Sequence, residues 1–255
     1  MKRNSIVLLF SLVSLLNVSC QKMDQVFSNG EPVSETRELD KQFRVISMHN
    51  NVNVKLVQSR HPHIELTCPE NLIGNITNEI VGDTLYVKNE NQLNWLRSFD
   101  YTIDMTIYFD SLRAVNYASI GDLLCTDSIV GCLPADTSEP QVPNFWLNVM
   151  EGSGNIDLTI NTGVMVNNFT NGTSNVTLRG RCNYTEQLLH SYGKVHAEEL
   201  FSGYVTVQSL STNDAYVWVK NGLKVGIYSI GNVYYRGNPT ITQEITNDGK
   251  LIKME

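Results

Sequence analysis

Apolar residues in the second half of the chain recur in pairs, one residue apart, behind a small residue and a polar residue. The pattern occurs six times between about 151 and 253, at 154–158, 174–178, 193–197, 215–219, 231–235 and 249–253, and a seventh copy lies at 121–125. The first residues of successive copies are 33, 20, 19, 22, 16 and 18 residues apart. A repeat near 20 residues whose apolar positions alternate with period two is typical of stacked β-coils.

Side chains of a strand alternate between its two faces, so pairs such as Ile156 and Leu158 are predicted to point inward together. A second short β-type segment, such as Val205–Val207, lies between copies, and each coil is predicted to hold at least two strands separated by turns. One coil cannot bury its apolar side alone, so neighbours must stack. The predicted fold is therefore all-β, a parallel β-helix or β-solenoid-like stack of short strands. An antiparallel sandwich is the alternative, but it does not require the motif to repeat.

The first 20 residues have the pattern of an export signal. A basic start at Lys2-Arg3 precedes an apolar run from Ile6 to Leu16, which is too short to span a bilayer. Cys20 follows directly, an arrangement that resembles a bacterial lipoprotein signal in which this cysteine is lipidated. The prediction is an exported protein held in the cell envelope, on the periplasmic or surface face of an outer membrane, by a lipid anchor only. The alternative is an ordinary secretory signal in which Cys20 is incidental.

The remaining chain divides into two parts. Residues 21–36 are polar and lack periodicity, which predicts a flexible tether, and residues 37–255 form the predicted β-domain. Within that domain, residues 131–147 carry Pro134, Pro140 and Pro143 and are predicted to be a protruding loop.

Charge limits the classes of partner. Loss of Lys2 and Arg3 with the signal leaves 17 Lys and Arg against 26 Asp and Glu, a net charge of −9. An acidic surface argues against nucleic acid and anionic lipid as partners, and leaves neutral glycan or a basic protein.

Several segments resemble one known family. They are Asn51–Leu56, Ser119–Leu123, Glu151–Leu158 and above all the closing Ser229–Pro239 with its Tyr-Tyr-Arg-Gly-Asn-Pro. Together they are similar to the putative auto-transporter adhesin head GIN domain family, common in lipoproteins of Bacteroidetes. The resemblance covers most of the chain from about Arg37 to Lys253. It implies an all-β, solenoid-like fold and an envelope location, and it implies no catalytic residues.

The candidate ligand patch lies in the outward column three positions after the start of each repeat. This column contains Asp157, Thr177, His196, Trp218, Tyr234 and Ile252. If the register holds, Trp218 and Tyr234 lie on adjacent coils, about 4.8 Å apart, with Tyr216 nearby. Aromatic faces on a rigid ladder suit sugar rings, so His196, Tyr216, Trp218 and Tyr234 are the predicted patch. Burial under another part of the chain is the alternative.

Chemistry of other kinds has little support in the sequence. Buried thiols are favoured over disulfides for Cys68, Cys125, Cys132 and Cys182. His61 and His63 have no third ligand at a recognised spacing, so no metal site and no cofactor are predicted.

The predicted function is that of a non-catalytic envelope lipoprotein, an adhesin-like module that displays its β-surface to a glycan or an envelope protein. A polysaccharide-degrading enzyme of pectate-lyase type is one alternative, and it would need clustered carboxylates. A structural envelope component is the other. Open ends of the stack would favour self-association.

Overall fold

The computed structural model describes residues 28–92, 101–131 and 144–255. These residues form 17 strands and one short helix, α1 (Glu70–Ile73). The strands are β1 (Pro32–Glu38), β2 (Val45–Asn50), β3 (Asn53–Gln58), β4 (His63–Pro69), β5 (Ile76–Val81), β6 (Thr84–Asn89), β7 (Asp104–Phe109), β8 (Ala114–Ser119), β9 (Leu123–Ile129), β10 (Phe145–Gly152), β11 (Ile156–Phe169), β12 (Val176–Leu189), β13 (Val195–Ser209), β14 (Ala215–Ile227), β15 (Val233–Arg236), β16 (Thr240–Ile245) and β17 (Leu251–Lys253). The all-β prediction is confirmed.

Four long strands, β11 to β14, form the regular part of the molecule. Each pairs in parallel with the next, from its first residues to its last. The sequence predicted two short strands per coil with a turn between them. Instead, one strand of 13 to 15 residues continues through each coil, because the polar residues near its middle keep pairing with the neighbouring coil.

Each of the long strands β11–β14 contributes to two rows of strands. We call the row formed by β3, β9, the first halves of β11–β14, β15 and β17 the front row. The back row consists of β2, β8, β10, the second halves of β11–β14 and β16. Inward side chains of both rows, such as Leu158 in front and Val207 behind, belong to one buried cluster. The outward side chains of each row therefore form two separate surfaces, the front face and the back face.

The inward positions stack in register, with one correction to the predicted repeat. Ile156, Val176 and Val195 lie side by side and are all buried, but the next member of this column is Ala215 rather than Val217. The repeat in β14 therefore begins with Asn213, not with Ala215, because asparagine takes the corner position that glycine or, in one copy, serine holds elsewhere.

Polar side chains at this corner tie the coils together. The side-chain oxygen of Asn175 accepts a hydrogen bond from the backbone N–H of Lys194 at 3.2 Å, and Asp214 does the same for Asn232 at 2.9 Å. These bonds satisfy backbone donors that the turn leaves without a strand partner.

The first half of the described chain contains antiparallel pairs, so the sheet as a whole is mixed, which corrects the prediction of a parallel β-helix or β-solenoid-like stack. β5 and β6 form an antiparallel hairpin, and β4 pairs antiparallel with both β1 and β7. The hairpin connection is only Gly82-Asp83, with Gly82 at φ +64°. A two-residue connection can join only antiparallel strands, since parallel neighbours need a crossover.

Two predicted segment boundaries differ from the structure. Residues 32–36 of the predicted tether belong to β1, where the Arg37 guanidinium donates to the backbone oxygens of Ile73 and Ile76. Residues 145–147 of the predicted loop belong to β10, while residues 132–143 of that loop lie outside the described residues.

Candidate functional site

Three rings form a ladder on the front face. His196, Tyr216 and Tyr234 occupy the same outward position on β13, β14 and β15. The ring centroids of His196 and Tyr216 are 4.8 Å apart at an interplanar angle of 6°, and those of Tyr216 and Tyr234 are 4.8 Å apart at 12°. The separation matches the spacing of neighbouring strands, so the ladder follows directly from the parallel register.

A second column lies beside the first. Arg181, Phe201, Trp218 and Arg236 are register partners on β12 to β15. Phe201 and Trp218 meet edge to face, with centroids 4.9 Å apart and planes at 76°. The Arg236 guanidinium lies 4.7 Å from the centre of the Trp218 ring, and that of Arg181 lies 5.8 Å from Phe201. Cations over aromatic rings are attracted by the negative face of the π-system.

The two columns correct the predicted patch. Trp218 is not stacked on Tyr234, because the strand register places Tyr216 opposite Tyr234 and Trp218 opposite Arg236. His196, Tyr216, Trp218 and Tyr234 nevertheless share the front face, in two columns rather than one. All four are half-buried, so the described part of the chain leaves part of each side chain open to solvent.

A bulge in β13 brings charged groups next to the rings. Ala197 pairs with Val217 and Phe201 pairs with Trp218, so residues 198–200 are extra in β13. The Glu198 carboxylate lies 3.0 Å from Nδ1 of His196, and its other oxygen is buried with no hydrogen-bond partner among the described residues. Burial, followed by the charge of Asp214, raises the pKa of the Tyr216 hydroxyl.

An ionic group borders the columns toward β11. The Arg179 guanidinium donates to Asp157 and, at 2.9 Å, to Glu199. The hydrogen bond with Asp157 is the main reason that the pKa of Arg179 is raised. All three side chains are more than a third exposed, so this network contributes little to stability but fixes the charges at the rim of the front face.

The stacking limits what the front face can do chemically. Within the ladder, both faces of Tyr216 are covered by neighbouring rings, whereas a sugar needs an open ring face. The ladder therefore exposes ring edges and hydroxyl groups, flanked by the cations of Arg181 and Arg236. Such a surface of Tyr, Trp and Arg has the composition of a protein-binding hot spot.

The sequence-based patch did not include Phe201, Arg181 and Arg236, because the bulge in β13 and the start of the β14 repeat two residues earlier both change which residues are register partners. A signal for the true register was available in the spacing of 18 residues between Tyr216 and Tyr234. Each of these tyrosines follows an Asp or Asn and then a buried residue. Cys20, the predicted lipidation site, lies outside the described residues.

The remaining candidate groups are separate from the front-face columns. Cys68, Cys125 and Cys182 are buried free thiols, whereas Cys132 is outside the described residues. The His63 ring stacks on Tyr108 with centroids 4.0 Å apart. Within 28–92, 101–131 and 144–255, no group of three His, Cys, Asp or Glu side chains is arranged to hold a metal ion. In the same ranges, no helix has the length and apolar character needed to cross a membrane.

Comparisons with known proteins agree with the fold. The family model described as putative auto-transporter adhesin, head GIN domain, matches residues 42–239. No curated protein matches the chain.

Solved structures with the same fold come from Bacteroides and Parabacteroides. A putative adhesin from Bacteroides fragilis has 17% identity and a TM-score of 0.75, with 89% of this chain and 100% of that chain covered. A putative adhesin from Parabacteroides merdae has 16% identity and a TM-score of 0.61, covering 89% and 98%. A putative lipid binding protein from Parabacteroides distasonis has 15% identity and a TM-score of 0.61, covering 90% and 99%. At these identities the similarity concerns the fold.

Proposed function

Because the chain belongs to the family described as putative auto-transporter adhesin, head GIN domain, we propose that it is a non-catalytic binding module of the cell envelope. Its parallel half would act as a short β-solenoid that displays the front face to a partner. The protein would be exported and held on the membrane through a lipid on Cys20.

The observation that carries this proposal is the pair of columns on the front face. Aromatic and arginine side chains are held there by strand pairing, so little side-chain entropy is lost when a partner binds. Trp218 lies between Phe201 and Arg236 and is the natural centre of such a contact. Since the rings cover one another's faces, an envelope protein suits this surface better than a glycan does.

Binding to isolated outer membranes, measured with and without protease treatment of the membranes, tests the proposed function. We expect saturable binding that Trp218→Ala weakens by about 30-fold or more, because a central hot-spot residue contributes about 2 kcal/mol or more. Tyr192→Ala is the matched control, since Tyr192 is 61% exposed and belongs to neither column.

Two outcomes would count against the proposal. Equal binding by the Trp218→Ala and Tyr192→Ala variants would remove the front face from the function. Binding of the wild-type protein to membranes that survives protease treatment would argue against a protein partner. If the wild-type protein then also binds a glycan array and the Trp218→Ala variant does not, the partner of this face is a glycan instead.

The anchor needs a separate experiment. Metabolic labelling with palmitate should mark the wild-type protein, and the Cys20→Ser variant should carry no label. Label on the Cys20→Ser variant would show that the lipid is attached to another residue. If neither protein carries the label, the proposed lipid anchor is wrong.

A further inference from the structure

The back face contains a groove that none of the predicted residues line. In β14 the outward positions of the back row are Gly222, Lys224 and Gly226. An open cavity of about 470 Å³ lies over Gly226, and one of about 270 Å³ lies over Gly222. Both are lined by Lys224, which lies between them, so the two cavities follow one another along the strand, and we call them together the groove. Gly222 and Gly226 are about 13 Å apart along the strand.

The two glycines make room for tyrosine rings. A Cβ at Gly222 would lie 3.0 Å from the Tyr204 ring, and a Cβ at Gly226 would lie 2.7 Å from the Tyr228 hydroxyl. Tyr204 is 54% exposed and Tyr228 is 37% exposed. Neither ring is paired with another aromatic ring in the described part of the chain, in contrast to the front-face ladder. The groove is therefore bounded by tyrosines whose faces are free of other rings.

Between the tyrosines are groups that can exchange hydrogen bonds with hydroxyls. The Tyr228 hydroxyl donates to Glu244 at 3.3 Å, and Gln208 contributes an amide to the same cavity. Lys224 is exposed and makes no ion pair with a described residue. The charges of Lys224 and Glu244 cancel, so the groove offers donors and acceptors without a net charge.

We propose that this groove binds a neutral oligosaccharide lying along β14. A sugar ring has an apolar C–H side that packs on a tyrosine face, and a rim of hydroxyls that needs both donors and acceptors. Tyr204 and Tyr228 supply the ring faces, and Lys224, Glu244 and Gln208 supply the hydrogen bonds. The groove has no net charge to attract an anionic glycan, and the acidic protein would repel a nucleic acid.

Binding at this groove is independent of the proposed front-face function. The groove belongs to the back row and the aromatic columns belong to the front row, with the buried core between them. Variants of the two faces therefore report on the two proposals separately.

The experiment is an array of neutral oligosaccharides from β-glucan, xylan, mannan and chitin, followed by titration calorimetry with the best binder. We expect Gly226→Val to abolish binding by pushing the Tyr228 ring into the groove, and Tyr228→Ala to weaken it about 5- to 10-fold. Gly226→Val is outward on a strand and displaces only the flexible Tyr228, so the variant should remain folded, which circular dichroism checks. Trp218→Ala on the front face should bind as tightly as wild type.

Four results would overturn the inference. They are no binding across the array, binding confined to anionic glycans, binding that Gly226→Val leaves unchanged, and loss of binding in Trp218→Ala alone. Capture of a protein through the groove with no oligosaccharide bound would also replace it.

Discussion

Gly180 provides a direct test of the parallel register, because neighbouring coils approach each other most closely at such positions. It lies in β12 with φ +104°, opposite Ile160 of β11. A Cβ at this position would be 2.1 Å from the Ile160 backbone oxygen. The substitution Gly180→Ala must therefore strain the backbone and also push two coils apart.

The two effects can be given magnitudes. A positive φ at a non-glycine residue costs about 1–3 kcal/mol, and forcing an extra carbon into a packed region costs about 1–3 kcal/mol. We expect Gly180→Ala to lower the free energy of unfolding by about 2–6 kcal/mol. Gly222→Ala is the matched control in the same type of strand, because its Cβ would be 3.0 Å from the movable Tyr204 side chain and its φ is not positive. That variant should change stability by less than about 1 kcal/mol.

Urea unfolding followed by far-ultraviolet circular dichroism measures both values. The m-value should be unchanged, so that a shift of the midpoint reports stability. Equal stabilities of the two alanine variants would refute the reasoning, because Gly180 would then not lie against the backbone of the neighbouring coil.

Two further predictions concern the ladder and the buried thiols. Tyr216→Leu removes two ring stacks and should lower the free energy of unfolding by about 1–2 kcal/mol. The control variant Tyr192→Leu should have almost no effect. Equal urea midpoints of the two variants would contradict this prediction. Burial raises the pKa of Cys68 to about 11, that of Cys125 to about 12 and that of Cys182 to about 11. Their neutral form is therefore favoured in the folded protein, so their contribution to stability is complete below about pH 9 and is lost as the pH rises toward 11 and 12. The loss is about 1 kcal/mol per thiol by pH 10 and about 3–4 kcal/mol per thiol once the pH passes the folded pKa. The urea midpoint should be lower at pH 10 than at pH 8. Rapid alkylation of the three thiols in the folded protein at pH 8 would show that they are accessible and would contradict the prediction.

The sequence was sufficient for the all-β class and for many core residues, but not for the mixed strand directions of the sheet. Period-two alternation is a local property, since any strand places alternate side chains on opposite faces. Pairs such as Ile156 with Leu158 and Val176 with Leu178 could therefore be assigned to the interior, and all four are buried. The family resemblance was also carried by local segments, and the family model confirms it.

The register between coils required the tertiary structure. Asn213 replaces glycine at the start of one repeat, and residues 198–200 bulge out of β13. The first change is the reason that Trp218 faces Arg236 and not Tyr234, and the second brings Phe201 opposite Trp218. The antiparallel pairings of β4 also join segments that no repeat relates.

The surfaces depended most on tertiary structure. A glycine in the sequence indicates a turn or a close approach, but Gly222 and Gly226 become the floor of a groove only because Tyr204 and Tyr228 stand beside them. In the same way, the sequence indicated aromatic residues at outward positions, and only the stacking of one coil on the next decided which ring faces stay open. Local alternation determines which side chains point out, whereas the pairing of distant strands determines what each of them meets.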